Sequence, residues 1–363
     1  MDAIPLEPAL PASDPRNDIT LHDLGWDLVD ETSRQHHLDP ALRVARVTHQ
    51  GRGAWRVHDG YEERIVRARS RAMTVLPVTG DWVTIREEGG SWYVDEVLPR
   101  RTVLSRNESG TRTQEQVIAA NVDVVAICTP ADAVNLRRLE RELTAVWSSG
   151  ATPVVIVTKA DLAPDPESVV SDVRSVCLGV DVLAVSTWWG DGVERVRGIL
   201  PAGATMALIG PSGVGKSSLV NALAGREELA TTAVRSDGKG RHTTTSRHLV
   251  VLPGGGLLLD TPGMREFAPW ADDDALAGTF PDIEALAEDC RFSDCGHEHE
   301  PGCAVLAAAD VDEQMAARLA NWRALQRELA WLERRNDARL QREERRKWAA
   351  ISKSMRGSPT IRH

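Results

Sequence analysis

No run of about 18 consecutive apolar residues occurs in the 363-residue chain, which excludes a membrane-spanning helix. The first residues, MDAIPLEPALPASDPRND, hold no basic stretch followed by an apolar core. No secretory leader is read there, no membrane partner is expected, and the expected compartment is the cytoplasm. Cysteine is scarce, at five residues. Cys128 lies in an apolar run and Cys177 in a helix-like segment, and both read as core thiols. The other three, Cys290, Cys295 and Cys303, crowd into fourteen residues, which in a reducing compartment indicates a metal rather than disulfides. Positive charge is in deficit, with 43 Lys and Arg against 53 Asp and Glu, a net of −10. That balance argues against a protein that coats nucleic acid over its whole surface. The deficit is uneven: residues 1–35 hold eight acidic and two basic side chains, residues 333–363 ten Lys or Arg and four acidic ones. The basic end reads either as a solvated helix face or as an arm that meets phosphate backbone.

What is present is a chain long enough for two or three domains, 42% hydrophobic and 26% charged, in the range of globular proteins. Residues 1–38 are rich in Pro and Asp without periodicity. They are expected to be a mostly disordered acidic extension, with a short helical piece around Leu21 to Val29. Residues 39–108 read as all-β. ALRVARVTHQ, GAWRVHDG, ERIVRARS, GDWVTIREEGG and SWYVDEVLP are short runs rich in β-branched residues and Trp, broken by Gly, Asp and Pro. Five such strands fit a small closed barrel of the oligonucleotide-binding (OB) type. Its interleaved arginines, Arg43, Arg46, Arg56, Arg64 and Arg67 among them, suit either outward polar positions or an RNA-binding face.

Residues 109–275 alternate apolar strands with helices. VDVVAICT, TPVVIVTKAD, DVLAVST and TMALI read as strands, and NLRRLERELTAVWSSG as an amphipathic helix with Leu136, Leu139, Leu143 and Val146 on one face. LVVLPGGGLLLD reads as two strands joined by a Gly-rich turn. This is the pattern of a doubly wound α/β domain, which binds ligands at the carboxyl ends of its strands. Residues 276–363 read as a helical domain broken by the Cys-rich knot and ending in the basic arm.

Gly210-Pro211-Ser212-Gly213-Val214-Gly215-Lys216-Ser217, followed by Ser218, matches GxxxxGK(S/T) between the strand TMALI and the helix SSLVNALAG. The glycines let backbone N–H groups turn inward around a β-phosphate. Lys216 brings a mobile positive charge to the β- and γ-phosphates, and the Ser217 hydroxyl suits Mg²⁺. This loop alone specifies an NTPase and leaves ATPases and kinases open.

Thr158-Lys159-Ala160-Asp161 ends the strand PVVIV and matches the (N/T)KxD form of the guanine motif. Asp161 can accept from guanine N1–H and the exocyclic N2 amine, and adenine offers neither donor. The Lys159 stem can lie along the base plane. Ser186-Thr187, after DVLAV, suits the second guanine segment. Asp260-Thr261-Pro262-Gly263 is DxxG at a strand end, with Asp260 placed for Mg²⁺ through water and the Gly263 N–H for the γ-phosphate. Arg241-His242-Thr243-Thr244-Thr245 suits the first switch, and spacing does not choose among its threonines. Where many GTPases carry a Gln after DxxG, Met264 stands here, so another group must act on water. His242 is the nearest candidate in sequence, against the reading of a plain loop histidine.

Cys290-x4-Cys295-x-His297-x5-Cys303 offers three thiolates and one imidazole, a closed set suited to structural Zn²⁺, with His299 as a rival nitrogen. The guanine motifs precede the phosphate loop, the reverse of the usual order, as circular permutation would produce. The barrel, permuted GTPase and knot closely resemble the ribosome small subunit-dependent GTPase A family over roughly residues 40–330. The marks are GDWV at 80–83, QVIAANVDVV at 116–125, TKAD, GPSGVGKSS, GRHTTT at 240–245, DTPGMREF and the Cys/His set. The resemblance implies GTP/GDP and Mg²⁺ as ligands, and one structural Zn²⁺ on His297 rather than His299. It implies Thr244 as the switch threonine on Mg²⁺, and His242, with Lys216 and Thr244, as the catalytic set. It further implies a barrel that binds ribosomal RNA, hydrolysis stimulated by the small (30S) ribosomal subunit, and a role in that subunit's late maturation. A monomer is expected. The segment STWWGDG, which begins at Ser186, departs from the SxxTGxG texture of the family, with Trp189 where that texture has Thr. The rivals are a P-loop ATPase or kinase, and an RNA-binding module that holds GTP only as a structural ligand.

Overall fold

Alternation of apolar and polar residues in the first third closes a barrel. The computed structural model describes residues 19–35, 41–51, 53–69, 73, 75–107, 115–225, 248–260 and 273–336. Strands β1 (Arg43–Gln50), β2 (Trp55–His58), β3 (Glu63–Ala68), β4 (Trp82–Glu88) and β5 (Ser91–Val97) pair in the order β1-β2-β3-β5-β4. β1 also pairs with β4, which closes the ring, and β3 runs parallel to β5. Ala45, Val47, Trp55, Val57, Val66, Val83, Ile85 and Val94 fill its interior. A two-stranded ribbon, β6 (Val103–Asn107) and β7 (Glu115–Ala120), leads into the next domain.

There, β8 (Val124–Pro130), β9 (Thr152–Thr158), β10 (Asp181–Ala184), β11 (Thr205–Ile209) and β13 (Leu257–Asp260) run parallel. β12 (His248–Val251) pairs antiparallel with β13. Strand order is β10-β9-β8-β11-β13-β12. Helices α2 (Leu136–Ser148) and α3 (Pro166–Arg174) cover one face, while α4 (Val193–Ile199) and α5 (Lys216–Ala224) cover the other. The short α1 (Glu31–Gln35) precedes the barrel. β12 also pairs with β1 through His248 and His49, so the barrel and the α/β domain share one sheet, and the two imidazoles stack at 4.3 Å.

Residues 19–35 correct the expectation of an extension that is mostly disordered through residue 38. Leu24 and Val29 are buried with Trp82, Leu98 and Leu257, between barrel and α/β sheet. The helical piece is a 3₁₀ turn at Trp26–Leu28. The apolar side chains of Leu21, Leu24, Trp26 and Val29 supply the packing that acidic composition obscured. Arg46 on β1 is fully buried at the same junction. Its guanidinium donates to the carbonyls of Leu24, Gly80 (3.3 Å) and Asn121 (3.0 Å) and to the Thr205 hydroxyl (2.8 Å). Burial lowers its pKa to about 10, so it remains charged at neutral pH.

The last domain packs α6 (Asp273–Thr279), α7 (Pro281–Ala287), α8 (Ala304–Ala309) and α9 (Glu313–Asn336) around Phe280, Ile283, Leu319 and Trp322. A buried ion-pair cluster ties it to α2. Arg318 donates to Glu140 (2.8 Å) and twice to Asp282 (2.7 Å each). It also donates to the carbonyls of Val176 and Thr279. No described helix is long and apolar enough to cross a membrane.

Candidate nucleotide and metal sites

Parallel strands bring their carboxyl ends to one edge, and the nucleotide motifs collect there. The phosphate loop leaves β11 and enters α5 at Lys216. Gly210, Gly213 and Gly215 have φ of +130°, +76° and +101°, values that let successive N–H groups face inward. Gly210 has a second constraint: a Cβ there would lie 2.4 Å from the Cys128 carbonyl oxygen. Gly215 caps α5 with no side-chain acceptor on the helix N–H groups, which leaves them for an anion. Lys216 Nζ donates to the carbonyls of Gly210 (2.7 Å) and Pro211 (2.8 Å), so its charge lies across the loop mouth. Ser212, Ser217 and Ser218 lie on the loop and the first turn of α5, and Val214 is buried beneath them.

The guanine motif sits beside this cradle. The Thr158 hydroxyl donates to the Val214 carbonyl (2.6 Å), so the first residue of TKAD braces the phosphate loop from beneath. Lys159 takes a left-handed backbone (φ +54°) and turns the chain into a 3₁₀ turn over Ala160–Leu162. The Ala160 N–H donates to the Val185 carbonyl, which joins this turn to the exit of β10. Ser186 is buried, and its hydroxyl donates to Asp161 Oδ1 at 2.6 Å. The bond leaves the second carboxylate oxygen and the remaining lone pairs of the first for a ligand. Ser186, on a segment that departs from the expected texture, is thus the residue that orients Asp161.

The backbone of Asp260 ends β13, paired with His248. Gly263, and the first-switch residues His242 and Thr244 with the segment around them, lie outside the described residues. At this edge sequence reading missed Glu142, and of Cys128 it gave the core thiol but not the backbone contact. Cys128, at the end of β8, supplies the carbonyl against Gly210, and burial pushes its thiol up to about 12, so it is an inert packing group. Glu142 on α2 has a pKa raised by burial, opposed by Arg138 and the nearby Lys216. The Arg138–Glu142 spacing of four signalled a helix pair but not its closeness to the loop.

In the helical domain Cys290, Cys295, His297 and Cys303 place one donor atom each within 4.8 Å of one another. The Cys290 and Cys303 sulfurs are 3.7 Å apart, and His297 Nδ1 lies 3.6 Å and 3.4 Å from them. Zn–S bonds of about 2.3 Å and Zn–N bonds of about 2.0 Å at tetrahedral angles put ligand atoms roughly 3.5–3.8 Å apart. The cluster therefore fits Zn²⁺. His297 needs a left-handed backbone (φ +56°) to turn Nδ1 inward. The Leu306 N–H donates to Cys303 Sγ at 3.4 Å, a support typical of metal thiolates. His299 is outside the cluster.

A sequence profile described as RsgA GTPase matches residues 97–270. A protein of Streptomyces avermitilis described as small ribosomal subunit biogenesis GTPase RsgA is 42% identical, over 94% of this chain and 94% of its own length. One of the same description from Opitutus terrae is 40% identical over 94% and 99% of the two chains. Among solved structures, YjeQ from Thermotoga maritima superposes with a TM-score of 0.59 at 24% identity, covering 80% of this chain and 99% of that one. YloQ, titled a circularly permuted GTPase, gives 0.58 at 23% identity, over 81% and 97%. An OB-type barrel, an α/β domain whose guanine motif precedes its phosphate loop, and a helical Cys/His knot accompany that similarity along most of the sequence, and the chain belongs to the RsgA GTPase family, whose members are hydrolases acting on GTP.

Proposed function

We propose that this GTPase binds the small ribosomal subunit, acts late in its maturation, and couples subunit-stimulated GTP hydrolysis to its own release. The relatives' descriptions as small ribosomal subunit biogenesis GTPases support the partner. The observation that carries the site assignment is the Thr158–Val214 bond, which fixes the guanine motif against the phosphate loop.

In this reading the loop N–H groups of residues 210–216 and Lys216 hold the β- and γ-phosphates, and Asp161, oriented by Ser186, reads the guanine edge. Lys159 and Ala160 shape the base pocket. Ser217 and Thr244 would hold Mg²⁺ with the help of Asp260, and Gly263 would sense the γ-phosphate. Mg²⁺ supplies charge neutralisation between the phosphates. His242 orients the attacking water, a role Met264 cannot fill. One Zn²⁺ on Cys290, Cys295, His297 and Cys303 holds the helical domain together. These four residues would fill a tetrahedral shell, so the metal would serve structure and not hydrolysis. The barrel carries the RNA contact, and the protein works as a cytoplasmic monomer.

The test is phosphate release with and without purified small subunits, for the wild type and His242→Ala. Wild-type release rises on adding subunits. The variant keeps its GTP affinity and loses most of the stimulated rate. No stimulation of the wild type would favour a binding module that holds GTP structurally, and unchanged stimulated turnover in the variant would remove His242 from the mechanism.

A further inference from the structure

The segment Ser186-Thr187-Trp188-Trp189-Gly190-Asp191-Gly192 holds two tryptophans that no core requires. Trp188 is 84% exposed and Trp189 64%, in a chain whose Trp55, Trp82 and Trp322 are buried. Large rings left in water invite a partner. The segment is closed into a turn: the Ser186 N–H donates to the Asp191 carbonyl and the Trp189 N–H donates to Ser186 Oγ at 3.2 Å. Gly192, at φ +79°, approaches so closely that a Cβ would lie 2.2 Å from the Ala184 carbonyl oxygen. The same Ser186 hydroxyl donates to Asp161. Two consecutive hydrogen bonds therefore join the Trp189 backbone to the carboxylate that faces the base.

We propose that Trp188 and Trp189 form an aromatic wall of the nucleotide site and pack against the guanine that Asp161 reads. The proposal rests on the guanine reading of Asp161. A purine between the Lys159 stem and an indole gains dispersion on both faces, and the indole excludes water from the hydrogen bonds at its edge. The wall senses the ring system and not its exocyclic groups, so it contributes affinity without guanine selectivity. Selectivity stays with Asp161.

The experiment measures GDP and IDP affinities of the full-length protein with Mg²⁺, by equilibrium dialysis. IDP lacks the exocyclic amine and so reports the Asp161 contact. For Trp188→Ala/Trp189→Ala, both dissociation constants should rise between about fivefold and a hundredfold, the span for loss of a base-stacking aromatic. The GDP-to-IDP ratio should stay within twofold. Trp188→Phe/Trp189→Phe should recover most of the affinity. Both side chains are exposed, so the alanine variant should keep its fold, checked by circular dichroism. Asp161→Asn is the control for the underlying reading, and it should weaken GDP and strengthen XDP. If that exchange fails, the guanine reading falls and the wall falls with it. If it succeeds while the double alanine variant binds GDP within twofold of wild type, the wall is overturned. Unchanged GDP affinity with weakened small-subunit binding also overturns it, and gives the pair to the ribosome instead.

Discussion

Removing Arg318 should separate the helical domain from the α/β domain. Its guanidinium is 3% exposed and bonds to Glu140 on α2 and to Asp282 on α7. Arg318→Met keeps much of the side-chain volume and leaves the Glu140 carboxylate buried beside Asp282 without its cation. Breaking a buried pair in this way costs about 3–5 kcal/mol. Adding Glu140→Gln to the Arg318→Met variant removes the stranded charge and should restore at least a third of the loss. The pH dependence follows from Glu140, whose pKa burial raises and Arg318 lowers. Without Arg318 it rises further, so the folded variant takes up a proton above the unfolded carboxyl's range. A group with a raised folded pKa is most favourable below its unfolded value, and that benefit fades as pH rises through the folded value. The wild-type-minus-variant stability gap should therefore be widest at pH 8 and narrow toward pH 5. Urea unfolding of the four members of the mutant cycle, followed at both pH values, measures it. A loss below about 1 kcal/mol, or a gap that widens on acidification, would refute the assignment of a buried charge cluster at this interface.

Metal analysis should find one Zn²⁺ per wild-type chain and almost none in Cys303→Ser, with a lower unfolding temperature for the variant. Cys177→Ser, at a buried thiol outside the knot, should keep the metal. Gly210→Ala should weaken GDP binding more than tenfold, because its Cβ would meet the Cys128 carbonyl at 2.4 Å. Gly213→Ala has nothing within 4 Å of the new atom and bears only left-handed backbone strain of about 1–2 kcal/mol, so GDP titration should rank it as the milder change.

The phosphate loop, TKAD and the Cys/His spacing were legible because each is a short contiguous run whose chemistry depends on local backbone. The OB-type barrel and the parallel sheet were legible from strand texture for the same reason. What the sequence concealed is carried by partners far apart in the chain. Arg46 read as one of many barrel arginines, yet its acceptor Thr205 is 159 positions away. Nothing in the sequence singles out Arg318 or Glu140, and 178 positions separate them. Thr158 read as the first residue of the guanine motif, and its hydroxyl bond to the Val214 carbonyl, 56 positions away, was not legible. Residues 19–35 read as mostly disordered, with only a short helical piece around Leu21 to Val29, because net charge masks apolar side chains that matter only once the barrel and sheet stand on either side. Ser186 was legible as a strand-end residue, and its bond to Asp161 was not.

Competition between GTP and ATP for the wild-type protein, at equilibrium and with Mg²⁺ present, probes the base-reading carboxylate at its root. GTP should win by about a thousandfold or more, since adenine lacks the N1–H and N2 donors and leaves unfilled the acceptor sites of Asp161 that Ser186 does not occupy. Equal affinities would contradict the account.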